Sequence, residues 1–215
     1  MKKRFRLFCI FLLSFTIFLL TSCVDYVQSI SYKNGKYELY YKVTFSKVLF
    51  ALCGEDPNEL FSDYDEDYLE DIPEDVYLSP INTDLEVGAE FNFNIDSKTT
   101  DEDIKQFLPT VAGSKYYIPF LLDKDEDFAD IIDNMDDPEF EVIAKALCSS
   151  AKCRILISKK VIPEMETAYF EGKFSQNYSI PLFDYGEQYC LEIPLIAIFE
   201  TDKYRTDRVV VIKKS

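Results

Sequence analysis

Apolar and polar residues alternate along most of this chain, and the clearest stretch of alternation surrounds Asn34-Gly35. Both central residues of a type I′ turn need positive φ, which Asn-Gly adopts at low cost. A two-residue turn pairs Lys33 with Lys36, Tyr32 with Tyr37, Ile30 with Leu39, Gln28 with Tyr41 and Tyr26 with Val43. Tyr26, Ile30 and Tyr32 then share a face with Tyr37, Leu39, Tyr41, Val43 and Phe45. Lys36, Glu38, Lys42, Thr44 and Ser46 take the other. This is the pattern of a sheet buried on one side. A lone hairpin is marginal in water, so these strands must dock onto later ones.

The same period-two pattern predicts strands at Val76–Ile81, Glu86–Ile95, Tyr116–Leu122, Arg154–Val161, Ala168–Phe174, Tyr178–Phe183, Cys190–Phe199 and Val209–Ile212. Pro119 marks its strand as an edge, because proline cannot donate to a ladder. In mid-chain the period becomes helical. Thr100-Asp101-Glu102-Asp103 has the form of a helix N-cap followed by acids in the first turn, and Pro109 stops that helix. Phe128, Ile131, Ile132 and Met135 form one apolar stripe. Asp137-Pro138 then opens a second helical stretch carrying Phe140, Ile143 and Leu147. Such stripes read as core contacts. The expectation is a β-rich α+β domain, an antiparallel β-sandwich with two or three short helices inserted mid-chain.

The first residues differ from all that follows. Lys2, Lys3, Arg4 and Arg6 precede an apolar run from Leu7 to Leu20, broken only by Ser14 and Thr16. That is the make-up of a secretory signal, and the run is too short to span a bilayer as a helix. It ends in Leu20-Thr21-Ser22-Cys23. This tetrapeptide resembles the lipobox of bacterial lipoproteins. The resemblance implies removal of residues 1–22 as a signal peptide and lipid attachment at Cys23, with acylation of the new amino terminus. The plainer alternative is an ordinary secretory signal with a cysteine near its end. Two acyl chains suffice for stable anchoring. The expected address is the cell envelope, on the outer membrane or on the outer face of the cytoplasmic membrane. Val24-Asp25-Tyr26-Val27 has strand character at once, with no flexible tether, so residues 23–215 form one extracytoplasmic domain lying close to the bilayer.

Charge narrows the partners. The chain has 39 acidic and 23 basic residues, and loss of the four basic residues of the signal takes the net charge from −16 to −20. Nucleic acid is excluded as a partner, since phosphate contacts need a basic face. Histidine is absent, which removes Ser-His-Asp and Cys-His catalysis and His-ligated metals. Tryptophan is absent too, and no glycine-rich phosphate loop occurs.

Of the six cysteines, Cys9 leaves with the signal and Cys23 is the lipid site. Cys53, Cys148, Cys153 and Cys190 are then candidates for disulfides in an oxidising compartment, with three pairings open. Buried free thiols are the alternative.

Residues 55–75 form an acidic loop, in which Asp63, Asp65 and Asp67 alternate as at the start of an EF-hand. Asp71 and Glu74 match its later ligand positions, which makes Ca²⁺ the candidate cofactor. Tyr68 stands where the sharp turn needs glycine, and a solvated acidic face explains the same residues. Asp123, Asp125 and Asp127 repeat only the opening.

Carboxylate pairs could serve a hydrolase of envelope or carbohydrate material, but so many acids make chance pairs common. Ser114-Lys115 reads as a turn ahead of a strand. Tyr40, Tyr64 and Tyr68 are candidates for a protein-binding surface. Together these features lead to the expectation of a lipid-anchored envelope protein that binds or scaffolds, held to the membrane by its N-terminal lipid and meeting a protein partner there. A calcium-stabilised module and a carboxylate hydrolase are the alternatives.

Overall fold

The computed structural model describes residues 24–48, 56, 76–120, 151–174 and 176–214. The first hairpin forms as its turn chemistry requires. Strands β1 (Val24–Lys33) and β2 (Lys36–Ser46) pair antiparallel from Lys33↔Lys36 to Val24↔Phe45. Asn34 and Gly35 hold φ values of 53° and 83°, so both central residues are left-handed. Strands β3 (Val76–Asn82) and β4 (Glu86–Asp96) extend this meander, β4 lying between β2 and β3.

On its other side β1 pairs with β7 (Lys152–Ser158), Tyr26 opposite Cys153 and Ile30 opposite Ile157, and this pairing is parallel. The all-antiparallel expectation is corrected here. A parallel pair needs a long crossover, and the long stretch of chain between β1 and β7 supplies it. Strands β10 (Leu182–Asp184) and β11 (Gln188–Pro194) complete a seven-stranded sheet in the order β10-β11-β7-β1-β2-β4-β3. A second sheet of five strands runs β5 (Thr110–Ala112), β6 (Lys115–Pro119), β12 (Tyr204–Lys213), β8 (Met165–Gly172), β9 (Tyr178–Ile180).

Prolines account for several departures from the simple strand pattern. Tyr178–Phe183, expected as one strand, divides at Pro181 into β9 in one sheet and β10 in the other. The expected strand Cys190–Phe199 ends at Pro194, and Leu195–Phe199 forms the short helix α2, with Leu195, Ala197 and Ile198 buried. Proline removes the ladder donor, so an unbroken apolar run can change structure at that point. Pro119 lies in a strand with neighbours on both sides, not at an edge. It pairs with Arg208 of β12, and its missing N–H faces the other side, where three-residue β5 pairs only as far as Tyr117.

The helix foreseen after Thr100 is one turn long, α1 (Glu102–Lys105). It tightens at its end through Phe107 N–H to Ile104 O and Leu108 N–H to Lys105 O. The expected helices at 128–135 and 137–147 lie outside the described residues. Among the described residues no helix is long and apolar enough to cross a membrane.

Both sheets contribute to one core. Tyr26, Ile30, Leu39, Ile155 and Leu191 come from the larger sheet, and Ile118, Phe170 and Val209 from the smaller. Gln28 lies on the same face as Tyr26 and Ile30 and is fully buried. Its amide donates to the carbonyl oxygen of Pro119 across the sheets at 2.8 Å, and its Oε1 accepts from the Tyr26 hydroxyl at 3.2 Å. A buried amide is tolerable when it is bonded in this way.

Thr44, expected on the polar face, is also buried. A side chain at Gly88, its cross-strand partner, would run into the backbone carbonyl of Val43 and then into Thr44 itself.

Gln28→Leu keeps the volume but leaves the Pro119 carbonyl unsatisfied and strips Tyr26 of this acceptor. The expected loss is about 1–3 kcal/mol of unfolding free energy, read from urea denaturation at constant slope. An unchanged midpoint would show that the inter-sheet bond is dispensable.

Candidate functional site

Cys23, Cys53, Cys148 and the acidic residues Asp63, Asp65, Asp67, Asp71 and Glu74 lie outside the described residues, as do Tyr64, Tyr68 and the second acidic fragment at 123–127. Among the described residues, no group of three or more Cys, Asp or Glu could hold a metal.

Cys153 and Cys190 are free and buried. In the β7–β11 ladder Cys153 opposes Ile193 and Cys190 opposes Leu156. Cys190 and Ile193 lie three positions apart, so the two thiols point to opposite faces of the sheet and this pair cannot form a disulfide. Burial, aided by the charge of Asp25, pushes the Cys153 thiol up to about 12. Burial also raises Cys190.

The outward face of the larger sheet carries cross-strand ion pairs. Asp25 meets Lys42 at 3.5 Å and Arg154 at 3.3 Å, Lys42 also reaches Glu86 at 3.7 Å, and Lys152 meets Glu192 at 2.7 Å. Tyr40 belongs to this network and is not a free aromatic. Its hydroxyl donates to Glu90 at 2.9 Å, and burial followed by that carboxylate raises the phenol to about 12. Ser114 lies in the β5–β6 turn, as expected, while Lys115 enters β6 and pairs with Glu171 at 3.6 Å. These are individually weak surface contacts, and none assembles a nucleophile with a base.

A hollow on the outward face, lined by Ser29, Ser31, Glu38 and Tyr40, is polar. An apolar concave feature lies on the opposite face of that sheet, at the β2–β4–β3 flank. There the α1 turn takes the place of a facing strand. Tyr41 stacks on Phe93 at 5.6 Å, and Phe93 meets the edge of Phe107 at 5.8 Å. The walls enclose a cleft of about 660 Å³, with Val43, Val76, Phe91 and Ile104 continuing the apolar lining. Asn94, Asp96 and Thr99 are its polar members, and Asp96 is the one charged side chain among the described lining residues.

The Tyr41 hydroxyl is buried in this wall without a hydrogen-bond partner among the described residues, and burial raises its pKa strongly. It therefore remains a neutral phenol throughout the physiological range. A cleft of this kind was not foreseen. Its only sequence trace is the alternation of Phe91, Phe93 and Ile95, which any buried sheet face would show.

Comparison with protein-family models, with curated proteins and with solved structures finds no match. The chemistry of the cleft has to speak for itself.

The thiols give a pH prediction whose sign is fixed. Cys153 stays protonated in the fold to about pH 12, but in the unfolded chain it ionises near 9.0. The unfolded state then binds fewer protons, so stability present below pH 9.0 is lost as pH rises toward 12. Thermal midpoints should fall across this window, and the fall should be shallower in Cys153→Ala. At pH 8 the native protein should leave a thiol reagent unconsumed by Cys153 and Cys190 until denaturant is added. Rapid labelling of either one without denaturant would contradict their closed burial.

Proposed function

We propose that this chain is a lipid-anchored cell-envelope protein that works by binding, without catalysis, and that its two sheets form a β-sandwich. The single observation that carries the binding reading is the apolar cleft beside α1. Its volume of about 660 Å³ lies within the roughly 300–1,000 Å³ span of small-molecule sites, which are mostly apolar with a few polar groups. An anion would gain nothing from these walls, because no basic side chain is among the described lining residues and Asp96 opposes negative charge. The fitting occupant is a small, uncharged, aromatic or aliphatic molecule. Hydrolysis by paired carboxylates is disfavoured, since Asp96 has no second carboxylate beside it among those lining residues. The lipobox at Leu20-Thr21-Ser22-Cys23 supports the anchor, and the common core of the two sheets supports the sandwich.

Titration with the uncharged fluorophore N-phenyl-1-naphthylamine tests the cleft. A saturable rise in emission is expected, with affinity at least about tenfold weaker in Ile104→Glu, which sets a charge against the apolar wall. Binding that does not saturate, or that ignores Ile104→Glu, would remove the cleft from consideration. The anchor is checked separately: Cys23→Ser should abolish lipid labelling and release the chain from membranes.

A further inference from the structure

The described residues leave seven large apolar side chains exposed, and three of them lie at the end of the molecule where β1 begins. Val24 pairs with Phe45, so the last residues of β2 run past the start of β1. Val48 lies just beyond that end and is 45% exposed. The β3–β4 turn sits beside it, because Ser46 pairs with Glu86 and the N–H of Lys47 donates to Leu85 O at 2.8 Å. Leu85, at the tip of that turn, is 71% exposed.

The smaller sheet delivers the third. Phe120 touches Tyr26 at 5.2 Å and Phe170 at 6.4 Å, so Phe170 lies level with the first residues of β1. The other end of β8 is remote from there. The Met165 N–H donates to the hydroxyl of Tyr189, and Tyr189 pairs with Ile157, which opposes Ile30. Strand β8 thus runs toward the Val24 end, and Phe174, just past its last residue, is 84% exposed there.

We propose that this end of the molecule is a membrane-contacting face, with Leu85, Val48 and Phe174 seated at the headgroup–acyl boundary of a phospholipid bilayer. The inference rests on the lipid-anchored reading, since Cys23 immediately precedes Val24 and one peptide unit spans only about 3.8 Å. A lipid at Cys23 holds the start of β1 against the bilayer, and the exposed apolar side chains flank that point.

The charge at this end is mixed. Glu86 is paired with Lys42, Glu192 with Lys152 and Glu200 with Lys203, which blunts repulsion by an otherwise acidic protein, while exposed Asp84 adjoins Leu85. Lys47 and Lys173 adjoin the apolar tips and can lay their stems on the interface while their ammonium groups stay among the headgroups. Tyr185 provides the contrast. It is exposed at the opposite end of the sheet, beyond the pairing of Gln188 with Ser158.

The chain contains no tryptophan, so a single introduced one reports its own surroundings. Full-length chain produced in a lipidating bacterial host, carrying Leu85→Trp, Phe174→Trp or Tyr185→Trp, is reconstituted on vesicles of phosphatidylcholine brominated in its acyl chains. Leu85→Trp and Phe174→Trp should lose most of their emission and shift to the blue, while Tyr185→Trp keeps its emission. Protein of lipidated mass that floats with the vesicles, yet shows no quenching at positions 85 and 174 or equal quenching at all three, overturns the face and leaves the anchor standing. Protein that is not lipidated and does not float overturns both.

Discussion

The fold depends on the double pairing of β1. This strand lies in the middle of the larger sheet, antiparallel to β2 and parallel to β7. Its inward face presents Tyr26, Gln28 and Ile30 to the second sheet. Because the side-chain period of a strand is two, a one-residue slip of β1 would send all three outward together. The hairpin turn holds one of its registers, and the Gln28 amide bonded to Pro119 restricts the other degree of freedom, the height of one sheet over the other. A carbonyl at the end of β6 has no donor from three-residue β5. A buried glutamine that reaches it turns a weak point of one sheet into a fixed contact with the other.

How far this could be read in advance depends on how local each cause is. The β1–β2 register follows from Asn34-Gly35 and the alternation beside it, so all of it was legible. The β2–β4 and β3–β4 strands also showed their alternation, with Gly88 on the outward face, where the Val43 backbone carbonyl and Thr44 leave no room for a side chain. The parallel β1–β7 pair was not legible, because no short-range feature distinguishes a parallel from an antiparallel partner for Arg154–Ser158. Pro181 and Pro194 were visible as punctuation. What a proline ends is local, but what begins after it depends on which surface is free to accept the chain. After Pro181 that surface is the edge of β11, and after Pro194 it is a buried corner filled by Leu195, Ala197 and Ile198.

The cleft belongs to the same category. Phe91, Phe93, Tyr41 and Val43 are ordinary residues for the buried face of a sheet, and nothing in their spacing says that a one-turn helix will stand opposite them. Among the described residues, what stands across the cleft from Tyr41, Phe91 and Phe93 is Ile104 and Phe107 of the α1 region. The acidic spacing that was conspicuous in the sequence is a different kind of signal. Carboxylates at alternate positions advertise a metal, yet they equally serve to keep a protein of net charge −16 solvated. Charge alone does not discriminate between those roles; convergent geometry does.

In the proposed reading, the absence of a tether is the feature that ties address to architecture. A long flexible linker would let the domain sample many orientations, and its end would carry no information about which surface meets the membrane. Here the strand character begins at Val24, and that strand is the middle one of the larger sheet. A lipid at Cys23 therefore pulls on the centre of the body and not on a frayed edge. The outward ion-pair face and the cleft both lie along the sides of the larger sheet. In that reading, with the start of β1 held down, both surfaces stand along the upright sides of the sheet and not flat against the bilayer.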